Sequence, residues 1–181
     1  MPPPVSYGDR RDAYDDWKLE RDEWLAANPK PWSVELENEF HKRFSSTIER
    51  WLDAGHGSCV LRDPKAARIV GDALNHFEGV RCVQHAWVVM PNHVHALFTL
   101  LGDHHLEDLL HSWKSFTANK IHAFDGNHVR LWQRDYFDRL IRDDAHFENC
   151  VRYIRKNPLK AKLRPGEYLL YESEWVGTGL K

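Results

Sequence analysis

The sequence predicts an α+β fold: an antiparallel sheet of split β-α-β type packed by helices, with an extra helical segment in front of it. Three observations carry that expectation. Two neighbouring runs, 80–90 and 93–101, are rich in β-branched and aromatic residues and meet at Pro91-Asn92, the pattern of an antiparallel hairpin. Apolar residues at helical spacing flank the hairpin on both sides. Residues 1–57 show helical periodicity and no strand.

Taken in order, residues 9–27 read as a helix with Tyr14, Trp17, Trp24 and Leu25 near one face. Asn28-Pro29-Lys30-Pro31 breaks it. A second helix runs from about Ser33 to Ala54 on the stripe Phe40, Phe44, Ile48, Trp51 and Leu52, and Gly55-His56-Gly57 ends it. Asp63 can cap a third helix, with Pro64 at its first position and Gly79 past its end; Ala66, Ile69, Val70, Ala73, Leu74 and Phe77 form its apolar face. After the hairpin, a fourth helix spans about 106–124, with Leu109, Trp113, Phe116 and Ile121 inward. Residues 129–141 read as mostly extended. A fifth helix covers 144–157 and is expected to stop at Pro158. The aromatic tail 166–175 should dock on the body. From residue 63 the order is helix, strand, strand, helix, strand, helix. A ferredoxin-like split β-α-β sheet is the simplest architecture for it, although such a fold normally opens with a strand.

Composition narrows the functional classes. With 181 residues, 42% of them hydrophobic, and eight Trp and eight Phe, the chain suits one packed core. No stretch approaches the roughly 18 apolar residues of a membrane span, and Met1-Pro2-Pro3-Pro4-Val5 does not resemble a signal peptide. A soluble, cytoplasmic protein is expected. Cys59, Cys82 and Cys150 are odd in number and far apart, which argues against a disulfide framework and a thiolate zinc site. Net charge is only −2, but its distribution is uneven. Acids crowd the beginning, at Asp9, Asp12, Asp15, Asp16, Glu20, Asp22 and Glu23. Between Arg130 and Arg164 ten cations stand against five acids. A phosphate backbone senses such local potential; a solvated charged face reads the same way.

Three residue types carry chemistry. In His93-Val94-His95, strand alternation puts both imidazoles on one face, while Val94, Ala96, Phe98 and Leu100 can pack on the other. Two neutral imidazoles one strand step apart can chelate a divalent ion, though an isolated H-x-H is more often incidental. On the fifth helix Tyr153 lies beside the stripe Phe147, Cys150, Val151 and Ile154, in line with Asn149 and Asn157 and among Arg152, Arg155 and Lys156. A phenol with a pKa near 10 is a poor nucleophile unless a cation or metal favours its anion. Read alone, Tyr153 is more often an ordinary amphipathic surface residue. Asn157, one turn further on, could lend an amide oxygen to a metal begun by His93 and His95; it also suits a helix end before Pro158.

These residues resemble a known family. The run Ala86-Trp87-Val88-Val89-Met90-Pro91-Asn92-His93-Val94-His95 is similar to the HUH motif of the REP-associated tyrosine transposases, single-tyrosine relatives of small insertion-sequence transposases. Tyr153-Ile154-Arg155-Lys156-Asn157-Pro158-Leu159-Lys160-Ala161 resembles their tyrosine helix. Trp113-Lys114-Ser115-Phe116-Thr117 and Trp132-Gln133-Arg134-Asp135-Tyr136 match in order between them. The resemblance covers roughly 58–175, leaving 1–57 as a helical N-terminal extension and 176–181 as a tail. It implies metal-dependent cleavage and strand transfer of single-stranded DNA bearing a hairpin, through a 5′-phosphotyrosine link. Tyr153 would be the nucleophile, and His93, His95 and Asn157 would hold Mg²⁺ or Mn²⁺, the imidazoles suiting Mn²⁺ better. Lys114, Lys120, Arg134, Arg152, Arg155, Lys156, Lys160 and Lys162 are candidate phosphate contacts, with Trp132 or Tyr136 stacking on bases. Both a homodimer and a monomer are open; no small-molecule cofactor or membrane partner is implied. The family pattern opens with a strand, but residues 1–11 offer only Pro2-Pro3-Pro4-Val5-Ser6-Tyr7-Gly8 there. Either the true start lies upstream or the element is lost. The alternatives are a relative that binds hairpin DNA without cutting it, and an unrelated H-x-H metalloenzyme.

Overall fold

The computed structural model describes residues 7–126, 129–134 and 136–179, and divides the chain into two compact units, Met1–Trp51 and Leu52–Lys181.

In the first unit, helix α1 (Tyr7–Ala27) is followed by α2 (Val34–Phe40), a π-helical turn (His41–Ser45) and the start of α3 (Ser46–Asp53). Ser33 caps α2, its hydroxyl accepting from the Leu36 amide. The expected stripe forms an aromatic core: Phe40 lies between Trp24, Trp32 and Phe44 at ring separations of 5.4, 4.8 and 5.4 Å. Trp17 meets Trp51 edge-on at 5.9 Å. Residues 7–11, within the stretch where the family pattern has its opening strand, are helical, and residues 1–6 lie outside the described residues.

In the second unit, Asp63 caps helix α4 (Pro64–Asn75) by accepting from the Lys65 and Ala66 amides at 2.7 and 3.3 Å. Strands β1 (Cys82–Val89) and β2 (Val94–Leu100) form the predicted hairpin, with Val89 opposite Val94 and a bulge near His85. Helices α5 (Leu106–Asp125) and α6 (Asp144–Lys160), strand β3 (Leu169–Glu172) and helix α7 (Glu174–Gly179) complete the unit. The sheet has the order β2-β1-β3, antiparallel throughout, and among the described residues no strand precedes β1. Helices α4 and α5 cover one face, around Trp87, Val89 and Trp113; α6 covers the other, where Ala86, Val88, Met90 and Leu97 meet Val151 and Ile154.

Two expectations are corrected. Among the described residues 129–141 form no strand; the third strand is β3, from the tail. Asp135, in one of the quoted motifs, lies outside the described residues. Helix α6 also continues through Pro158 to Lys160. Pro158 is buried, and the Ala161 and Leu163 amides donate to the carbonyls of Asn157 and Pro158 at 3.0 and 2.9 Å. Burial of the ring and these capping bonds offset the one backbone bond the proline cannot donate.

Candidate active site

Strand parity decides where the imidazoles point. Val94, Ala96, Phe98 and Leu100 of β2 pack with α4 and α5, so His95 shares the α6 face with Leu97. His93 immediately precedes β2, its carbonyl accepting from the Met90 amide at 2.8 Å to close the hairpin. The two imidazoles meet edge-on at 4.8 Å, and the Tyr153 ring meets His95 edge-on at 5.1 Å. Asn157 is 1% exposed one turn along α6. Three of the residues singled out in the sequence, His93, His95 and Tyr153, thus meet at one spot, with Asn157 buried one turn beyond the tyrosine.

Their polar atoms are unusually bare. His93 Nε2, His95 Nε2 and both amide atoms of Asn157 are buried with no hydrogen-bond partner. Leaving a polar group in that state costs about 1–3 kcal/mol, so a cluster of them marks a place built for something else to bind. Burial pulls the His93 imidazole down to about 4, the Asp53 charge acting the other way. Burial pulls His95 to about 3, with His93 and Lys160 adding to the effect. Both rings are therefore neutral at pH 7, the form that ligates a cation. Among the described residues no three His, Cys, Asp or Glu side chains gather in ligating geometry, and the two imidazoles could be joined by a donor of another type. The Asn157 amide oxygen is such a donor, and two imidazoles with one amide oxygen fit a borderline divalent ion with positions left open.

Sequence reasoning missed two residues here. Asn92 donates through Nδ2 to the carbonyls of Leu52 and His56 at 2.8 and 2.9 Å, which fixes the orientation of its amide. Its oxygen then lies 2.7 Å from His93 Nδ1. That nitrogen must carry the proton, so Nε2 presents its lone pair toward the cluster. The second is Asp53, at the end of α3, whose Oδ2 accepts from Lys160 Nζ at 2.6 Å. The ammonium stands 5.9 Å from the centre of the Tyr153 ring. Asn92 directly precedes the H-x-H motif, within the quoted run, and could have been suspected; nothing local singles out Asp53.

The candidate DNA contacts divide. Asn149, Arg152, Tyr153, Lys156, Asn157 and Lys160 line a surface furrow of about 370 Å³ along α6. Arg155 instead forms a bidentate pair with Glu172, both distances 2.8 Å. Lys114 donates to the Gln133 and Arg134 carbonyls at 2.9 and 3.3 Å, and Lys120 lies over Phe116. Arg134 and Lys162 are exposed and outside the furrow. Trp132 packs against the core and donates to Thr117 Oγ1 at 2.8 Å; Tyr136 donates to Glu107 at 3.2 Å.

The family model described as IS200-like transposase matches residues 67–157, half of the chain, and takes in His93, His95, Tyr153 and Asn157. A curated relative, the REP-associated tyrosine transposase of Escherichia coli (strain K12), is 33% identical over 76 residues. That alignment spans 41% of this chain and 43% of the relative, less than half the length of either. No solved structure matches.

Proposed function

Because the chain belongs to the IS200-like transposase family, we propose that it cuts and rejoins single-stranded DNA at hairpin-bearing sequences, with Tyr153 as nucleophile and His93, His95 and Asn157 holding a divalent cation. One observation carries the reading: a phenol and two neutral imidazoles with bare, buried nitrogens converge from a helix and a hairpin that are far apart in sequence. Bound there, Mn²⁺ or Mg²⁺ would polarise the attacked phosphate.

The residues of the chain do the rest. Strand β2 and the hairpin loop fix the imidazoles, and α6 carries the phenol beside His95, so little motion is needed before attack. The phenol oxygen bonds to phosphorus as the bond from phosphorus to the 3′ oxygen breaks. The phenol proton leaves to solvent and the departing 3′ oxygen takes one up, giving a 5′-phosphotyrosine and a free 3′-hydroxyl. A new 3′-hydroxyl reverses the step without external energy. Arg152, Lys156 and Lys160 along the furrow offer the strand a cationic track.

The test is a labelled hairpin oligonucleotide incubated with the protein and Mn²⁺. A covalent adduct is expected from the native chain and none from Tyr153→Phe; equal adduct from both removes Tyr153 from the mechanism. A second reading, a protein that holds hairpin DNA without cutting it, draws on the lack of a strand before β1 among the described residues. Salt-sensitive binding with no adduct under either metal would favour it.

A further inference from the structure

We propose that Asp53 is a positioning residue for this reaction: it tethers Lys160 beside Tyr153, making Lys160 the catalytic cation that meets the attacked phosphate. The inference rests on the preceding reading and adds two residues that lie outside the matched span 67–157.

Three observations support it. The Asp53 side chain is only 12% exposed, while that of Lys160 is 58% exposed. With the ammonium end this open to solvent, the pair contributes little to stability. The second oxygen of Asp53, Oδ1, is buried with no partner, a standing cost that a purely structural carboxylate would avoid. Finally, the ammonium that Asp53 holds lies against the one ring proposed to attack, and borders the furrow proposed to hold the strand. The geometry depends on helix α6 passing through Pro158, since that added turn carries Lys160 round to the tyrosine.

Chemically, attack places extra negative charge on the phosphate oxygens while the phenol oxygen bonds to phosphorus and the 3′ oxygen departs. A fixed ammonium stabilises that charge. A free lysine would spend part of its time in solvent; the carboxylate removes that freedom. Asp53 transfers no proton and binds no substrate in this scheme.

The experiment is a double-mutant cycle on the full chain, reading single-turnover adduct formation with a hairpin oligonucleotide and Mn²⁺. Lys160→Met should slow the adduct on the order of 100-fold, as loss of a charge-stabilising donor does. Lys160→Arg should keep most of the rate. Asp53→Asn should slow it about tenfold, as loss of an outer partner does, without weakening oligonucleotide binding. In the Lys160→Met background, Asp53→Asn should change the rate by less than about twofold. Mn²⁺ affinity, read by electron paramagnetic resonance, should fall by less than the adduct rate does with Asp53→Asn, whose charge also reaches His93, and thermal melts report whether each variant is folded. Additive effects of the two substitutions, or a rate at saturating Mn²⁺ that Asp53→Asn leaves unchanged, would overturn the proposal while leaving the transferase reading intact. No adduct from the native chain would bring down that reading, and this inference with it.

Discussion

Replacing Asn92 separates a metal-positioning role from a merely structural one. Its amide makes two kinds of bond: Nδ2 donates to the Leu52 and His56 carbonyls, and Oδ1 accepts from His93 Nδ1. Asn92→Ala loses both. One neutral hydrogen bond is worth about 0.5–1.5 kcal/mol, which alone would cost metal affinity roughly 2–13-fold. The released imidazole can also turn and place its proton on Nε2, where no cation can bind. Loss of an outer partner of this type costs about 10–100-fold in affinity, and the low end is expected here because His93 remains buried. Asn92→Asp keeps the acceptor and strengthens it, since a carboxylate accepting from Nδ1–H makes a charge-assisted bond worth roughly 1.5–3 kcal/mol. It cannot donate to the two carbonyls. Both variants should therefore unfold at lower temperature than the native chain, yet differ in metal binding. Calorimetric titration with Mn²⁺ should find Asn92→Ala about tenfold weaker and Asn92→Asp as tight as the native protein or tighter. Native affinity in Asn92→Ala, or equal weakening in both, would refute the tautomer argument.

Other consequences follow from the same geometry. Arg152, Lys156 and Lys160 line one furrow, and each single-strand phosphate they neutralise contributes about −0.7 to the slope of log affinity against log salt. Arg152→Gln with Lys156→Gln should flatten that slope by about 1.4 in a fluorescence titration with a hairpin oligonucleotide; an unchanged slope would place the strand elsewhere. The two imidazoles link stability to pH. Their ordinary pKa is 6.5 and their folded values are about 4 and about 3, so between these limits the unfolded chain binds protons that the native one does not. Metal-free stability should be fully present above pH 6.5 and fall as the pH drops, by about 2 kcal/mol per imidazole at pH 5. Urea melts at pH 8 and pH 5 should show the loss, and His93→Gln with His95→Gln should reduce it. In helix α4, a Cβ at Gly71 would come within 2.8 Å of the Trp87 ring, which is stacked on Tyr171 and tied to Asn75. Gly71→Ala gains about 1 kcal/mol of helix propensity against roughly 1–3 kcal/mol of overpacking, so a net loss of about 1 kcal/mol is expected in a urea melt.

How much of this was legible in the sequence depends on whether a local pattern or a distant partner fixes the structure. The Asp63 cap, the hairpin and the two-faced alternation of β2 are local, and each formed where the residues placed it. The aromatic content of 129–141 suggested a strand, but a strand exists only if an edge is there to pair with. Trp132 is instead drawn to Thr117 and the core, while Val129 and Leu140 stay exposed. The edge of β1 goes to β3, where Tyr171 lies opposite Trp87 and stacks on it at 5.4 Å. No local signal in the short run 169–172 announces that pairing. Pro158 reads as a stop because the rule weighs the missing backbone bond and cannot see the buried surface that offsets it. Lys160 was therefore legible as a cation, but not as a neighbour of Tyr153. Asp53 was invisible for a related reason: its partner is 107 residues away along the chain.

The convergence of the two half-sites follows from packing arithmetic. On β2 the parity that buries Val94, Ala96 and Phe98 against α4 and α5 forces His95 to the opposite face, the face Leu97 uses to meet α6. On α6 the apolar stripe that meets Leu97 is Val151 and Ile154, so Tyr153 and Asn157 flank the seam rather than fill it. A slip of one residue in the β1–β2 register would turn His95 into the α4–α5 core; a shift of one residue in the α6 stripe would carry Tyr153 away from the seam. The same contacts that hold the sheet and helix together thus set the distance between imidazole and phenol. Substitutions that loosen the seam without touching the candidate ligands, such as Leu97→Ala or Val151→Ala, should therefore depress adduct formation and stability together. Loss of adduct with full retention of both Mn²⁺ affinity and thermal stability would show that the seam does not set the geometry.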